Sequence, residues 1–157
     1  MRIFQCIIFA IVFISCNNPK GSNSLTHKAS LYPAYVQDLL KEIDRFPDSS
    51  ELRVQLIDTM DSLNLPKDAI SQIDILIARD SGNYGNWFRK GEIAIHAADT
   101  SIAIESFSRA ATLYATPDVL LTLANLYAAQ KNKKALTLCE EVIAQKPDRT
   151  YIAHSYY

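Results

Sequence analysis

The chain has 157 residues and a formal net charge of −1. That length sets the expectation of one domain, and near-neutrality argues against a nucleic-acid binder, which would carry a basic patch or stripe. Glycine is scarce, and β-branched runs between turn signals are few after residue 20, whereas alanine, leucine and charged residues recur at helical spacing. The class read from this pattern is all-α.

Arg2 supplies a minimal positive start, followed by an apolar run from Ile3 to Ser15. Such a run is short for a membrane-spanning helix, which needs about 20 residues, but suits the apolar core of a secretory signal. It closes on Phe13–Ile14–Ser15–Cys16, which resembles a bacterial lipobox, with Phe13 in place of the usual leucine. The resemblance implies a lipoprotein signal peptide over residues 1–15, cleavage before Cys16, and acylation of Cys16. The rest of the chain would then be exported to the bacterial cell envelope and held to a membrane, on either its periplasmic or its surface side. The alternative is an uncleaved signal anchor with Cys16 an incidental thiol. Either way the remainder lies outside the cytoplasm. With Cys6 lost with the signal and Cys16 acylated, Cys139 has no disulfide partner, which suits an oxidising compartment.

Residues 16–33 hold the lipid-attachment cysteine and a polar tether, Asn17 to Ser30, with Pro19 and Gly21. Random-coil scaling gives this tether a reach of roughly 20 Å. His27 reads as a solvated linker residue.

Helical periodicity governs residues 34–157. Val36, Leu39, Leu40 and Ile43 share one face of a helix over Tyr35–Phe46, which Pro47–Asp48 ends. In the next unit the core positions are Leu56, Ile57 and Met60, then Ala69, Ile73 and Leu76. Asp48 or Ser49 can cap its first helix, and Pro66 suits the first turn of its second. The central unit places Trp87, Gly91 and Ala94 on one helical face and Ala103, Phe107 and Ala110 on another, separated by Ala98–Asp99–Thr100. Small residues there let the two helices approach while Trp87 and Phe107 fill the space between them. A last unit, opened by Thr116–Pro117, carries Leu120, Leu123, Ala124 and Tyr127, then Ala135, Cys139 and Val142, and Pro147 closes it. Cys139 is expected as a buried small hydrophobe rather than a reactive thiol. Tyr151–Tyr157 reads as the opening of a further helix. Either the chain is part of a longer array or this end docks onto something.

These units resemble tetratricopeptide repeats, helix–turn–helix modules of about 34 residues. The resemblance covers residues 35–149 and is strongest in the central unit. It implies a tetratricopeptide-type α-solenoid of antiparallel helix pairs, about three repeats (50–83, 84–116 and 117–149) with partial caps. It further implies a groove, lined by the first helices, that binds a partner peptide or helical segment. The outward positions there are Glu51, Val54, Asp58 and Asp61, then Phe88, Glu92, Ile95 and His96, then Asp118, Leu121, Asn125 and Ala128. No lysine or arginine stands among them, so the five acids, with Val54, Phe88, Ile95 and Leu121 between them, suit a segment bearing some positive charge. The plainer alternative is a solvated helix face. The lysines with which some such repeats clamp a C-terminal carboxylate are replaced by Val54, Phe88 and Leu121, with only Asn125 kept.

Catalysis finds no support in the sequence, and no cofactor is expected. His96 and His154 are far apart, no H-E-x-x-H or paired cysteines exist for zinc, and no Gly-rich phosphate loop or G-x-S-x-G occurs. Glu140 and Glu141 are adjacent and so point about 100° apart on a helix, a poor carboxylate pair. The function expected is a non-catalytic interaction scaffold, lipid-anchored at the bacterial envelope, with a protein partner and no nucleic acid. The alternative is an envelope lipoprotein binding a glycan or small ligand through Trp87. Lipidation is checked by mass spectrometry of membrane fractions. Cys16→Ser is expected to leave a larger, unacylated precursor, whereas a mature wild-type mass without lipid would contradict the anchor.

Overall fold

The computed structural model describes residues 31–145. The signal segment, Cys16, the tether, Pro147, His154 and Tyr151–Tyr157 lie outside the described residues. Seven helices and no strand occur among those described: α1 (Ala34–Arg45), α2 (Ser50–Ser62), α3 (Pro66–Arg79), α4 (Tyr84–His96), α5 (Thr100–Leu113), α6 (Pro117–Ala129) and α7 (Lys134–Ala144). Each packs chiefly on its neighbours in sequence, and the short connections make those neighbours antiparallel. None of these helices is long and apolar enough to cross a membrane.

Local chemistry sets where the helices start and stop. Ser49, Asn83, Asp99 and Thr116 cap α2, α4, α5 and α6, each side-chain oxygen accepting a backbone N–H three residues on, at 3.3, 3.2, 3.0 and 3.3 Å. Each cap satisfies one of the donors a helix start leaves unpaired. Pro66 and Pro117 occupy first-turn positions, where a missing N–H costs nothing. The turn inside each pair uses one device three times. Asn64, Ala98 and Lys131 adopt left-handed backbone, with φ of 58°, 56° and 55°. The next residue's N–H then reaches back to Met60, Ala94 or Tyr127, each carbonyl accepting at 2.9 Å. This is the Schellman closure, which satisfies orphan carbonyls and reverses the chain within two residues.

Two apolar clusters run through the stack. The first joins α1, α2 and α3 through Val36, Leu40, Ile43, Leu56, Met60 and Ile73, with Ile93 of α4 added. The second gathers Ala94, Ala103, Phe107, Ala110, Val119, Leu120 and Val142 from α4 to α7. Ile70 packs against both and links them. The closest approach is in the central pair, where a Cβ added at Gly91 would lie 2.7 Å from the Phe107 ring. Only a residue without a side chain lets α4 meet α5 at this point.

Polar contacts fix the first part of the stack. Tyr32 is buried, and its hydroxyl donates to Asp68 on α3 at 2.8 Å, which ties the start of α1 to the first helix pair. Burial and that carboxylate push the phenol up to about 12. Arg53 is buried on α2 and donates to Gln72 Oε1 at 2.5 Å. Burial, then the charge of Arg79, lower its pKa from the ordinary value. Cys139 differs from expectation: it is half-buried, because α7 has no described helix on its outer side and contributes only Val142 to the fully buried core.

Two substitutions separate packing from backbone strain. Gly91→Ala gains helix propensity of about 1 kcal/mol, but overpacking against a buried ring costs about 1–3 kcal/mol, so a net loss of up to about 2 kcal/mol is expected. Ala98→Gly relieves a left-handed alanine and should gain about 1 kcal/mol. Denaturant midpoints of the two variants should move in opposite directions.

Candidate functional site: the face of the first helices

α2, α4 and α6 are the first helices of their pairs, and the expected groove positions lie on them. The structure brings the α2 and α4 positions together around a residue outside that expected set. Arg89 on α4 reaches across to α2, with guanidinium nitrogens 2.9 Å from Asp58 Oδ1 and 3.2 Å from Asp61 Oδ2. On its own helix it also lies 3.5 Å from Glu92 Oε2. His96 Nδ1 stands 3.2 Å from the other oxygen of Asp61. Asp61 is the most enclosed of these carboxylates, its side chain 11% exposed, whereas that of Asp58 is 58% exposed. Three of the five groove acids are therefore engaged by a single arginine.

Glu51 accepts a longer bond, at 3.4 Å, from Gln55 Nε2. Asp118 and Asn125 are exposed on α6, as is Ala128. The apolar positions divide. Val54 and Ile95 are 40% and 43% exposed and present themselves to solvent. Phe88 and Leu121 do not: both are half-buried and packed against the second cluster. Phe88 stacks on Tyr84, with centroids 5.6 Å apart, and meets Phe107 edge-on at 5.4 Å. They support the face from beneath.

Below Val54 and Asp58, between α2, α3 and α4, lies a cavity of about 310 Å³. Ile57, Ile73 and Leu76 form its apolar lining, and Gly85, Asn86 and Arg89 close the α4 side. Gly85, Asn86 and Arg89 were missed by sequence reading, although Arg89 could have been found as an i,i+3 partner of Glu92.

Trp87 has a different setting. It is half-buried against the second cluster, and its indole N–H donates to Ser81 O at 2.9 Å. Lys90 Nζ lies 5.7 Å from the indole centroid and 2.7 Å from Asp74 Oδ1, so the lysine spans α4 and α3 with its stem buried and its charge paired. A cleft of about 170 Å³ opens beside Trp87, lined also by Arg109, Thr112 and Leu113. Among the described residues no group of three or more His, Cys, Asp or Glu is arranged to hold a metal ion.

Comparison with solved structures places this architecture. The chain is similar to a crystal structure of MamA, with 20% identity, coverage of 80% of this chain and 75% of that one, and a TM-score of 0.62. A second MamA crystal structure matches with 20% identity over 80% and 69% of the two chains, also at a TM-score of 0.62. A structure of MamA MSR-1 C2 matches with 17% identity over 78% and 71%, at 0.58. No protein-family model and no curated protein matches the chain. Identity at this level speaks to fold alone, and the fold is an all-α, tetratricopeptide-type solenoid.

The arginine clasp predicts an order of sensitivities. An exposed pair is worth at most about 1 kcal/mol, whereas unpairing a mostly enclosed acid costs about 1–3 kcal/mol. Arg89→Met, which leaves Asp61 with His96 alone, should therefore destabilise by about 1 kcal/mol, and Asp58→Asn by less than about 0.5 kcal/mol. Urea unfolding checks this; equal effects would mean that Asp61 does not govern the clasp.

Proposed function

We propose that this protein is a non-catalytic interaction scaffold that holds a segment of a partner protein along the face of α2, α4 and α6. The observation that carries the reading is the state of that face. Arg89, Asp58, Asp61 and His96 tie α2 to α4, while Val54 and Ile95 are left exposed beside the tie. A surface whose polar groups are already positioned and whose apolar groups are not covered loses little entropy on receiving a ligand. The fold supports the same use, since stacked helix pairs offer extended binding surfaces.

Export and lipid attachment belong to the same proposal. The Ser15–Cys16 step after an apolar run, and the polar tether behind it, support a scaffold exported to the bacterial cell envelope and anchored to a membrane through Cys16. Cys16 lies outside the described residues, so its support is the sequence alone. In the glycan-binding alternative the ligand would enter the cleft beside Trp87. The ring there packs against the second cluster and lies under the Lys90 ammonium, and its N–H is used by Ser81, which favours a packing role over a platform for a stacked sugar.

In-cell crosslinking followed by affinity capture tests the scaffold. The comparison is between wild type and a Val54→Asp, Ile95→Asp double variant at matched abundance. Both positions are half-exposed, so the fold should survive. A partner captured by wild type is expected to be depleted at least tenfold by the variant. The same proteins captured by both, or none by either, would contradict docking on this face.

A further inference from the structure

We infer that the cavity between α2, α3 and α4 is an anchor pocket for one aliphatic side chain of the partner segment, and that lysine or arginine flanks that side chain. This rests on the scaffold reading above and adds to it the chemistry of the ligand.

The pocket's interior selects an apolar group. Ile57, Ile73 and Leu76 are 2%, 1% and 4% exposed, so they present only carbon to the cavity they line. Interiors are ordinarily close-packed, with few voids larger than a water molecule, and a polar or charged group set against Ile57, Ile73 and Leu76 would find no partner on them. The volume of about 310 Å³ has room for a leucine, isoleucine or methionine side chain. Val54 stands at the opening with 40% of its surface exposed, so the pocket communicates with the binding face.

The rim selects what lies beside the anchor. At Gly85 the wall is bare backbone, which allows a partner's main chain to come close. The Asn86 side chain makes no hydrogen bond among the described residues and supplies a donor and an acceptor for that main chain. The electrostatics of the α2–α4 face are lopsided: Asp58, Asp61 and Glu92 share one guanidinium, that of Arg89, and Glu51 accepts from the neutral amide of Gln55. Asp58 and Glu92 remain 58% and 41% exposed in their side chains. Basic residues flanking the anchor would meet these exposed carboxylates without being buried, while acidic neighbours or a C-terminal carboxylate would be repelled. The site thus separates one desolvated apolar contact from a solvated, charge-selective rim.

Selection of a random peptide library on the immobilised full chain tests this directly. Enriched peptides are expected to share an aliphatic residue with lysine or arginine within two positions. Replacing that aliphatic residue by alanine should weaken binding about 10- to 30-fold, the cost of losing a buried side chain of that size. Exchanging the basic flanks for glutamate should abolish capture. Val54→Trp, which fills the opening, should weaken the same peptides at least tenfold. If that variant melts early, Asn86→Phe blocks the pocket from the α4 wall. Absence of the pattern, an alanine effect below about twofold, or undiminished binding to the blocked variant would overturn the inference. Peptides that bind the blocked variant fully, yet are lost with Ile95→Asp, would retain the scaffold and eliminate the pocket. No enrichment at all would count against both.

Discussion

The contact between Gly91 and the ring of Phe107 is the constraint on which the central pair depends. A methyl group at Gly91 would overlap the ring at 2.7 Å, so the missing side chain sets how closely α4 lies on α5. That separation lets Phe107 be fully enclosed while still meeting Phe88 edge-on. Phe88 in turn stacks on Tyr84, which shares a hydrogen bond of 3.2 Å with Thr116, the cap of α6. One glycine is therefore connected, contact by contact, to the start of the next helix pair. In a stacked array, stability is passed between neighbours in this way rather than held in one central core.

The face used for docking is a product of the same stacking. Asp58 and Asp61 stand about one turn apart on α2, and Arg89 on α4 reaches both only because the two first helices lie side by side. Arginine suits this position because its planar fork can serve two acids at once. The clasp removes part of the negative charge that the acids would otherwise present, and leaves Glu51, the outer part of Asp58 and Glu92 to set the sign of the face. The apolar contribution comes from Val54 and Ile95, with Phe88 and Leu121 supporting them from below. Recognition is accordingly shared between a few exposed apolar groups and a residual acidic field.

How much of this was legible in the sequence follows from the range of each interaction. The helices and the central packing positions could be read because Trp87, Gly91, Ala94, Ala103, Phe107 and Ala110 recur at intervals that a single helix imposes. The caps at Ser49 and Thr116 were readable for the same reason, being contacts over three residues. Helical spacing turns Phe88 and Leu121 outward, but it gives direction only to within a broad sector. A long side chain at the seam between pairs can turn inward, and Phe88 does so to reach Phe107. The Arg89 clasp joins residues about thirty positions apart in sequence, beyond what any local pattern reports. The cavity was invisible for a stronger reason, since it is a space between three helices rather than a property of any residue. Cys139 stands at an inward position by spacing, but a helix is buried only where another covers it.

The central claim is that the partner lies on the first helices. Photo-crosslinking in living cells addresses it most directly, with the photoreactive residue placed at Ile95 on α4 or at Leu136 on α7, both solvent-exposed in the free chain. The account predicts a discrete protein adduct from position 95 and none from position 136. An adduct from position 136 alone would place the partner on the second helices and contradict it.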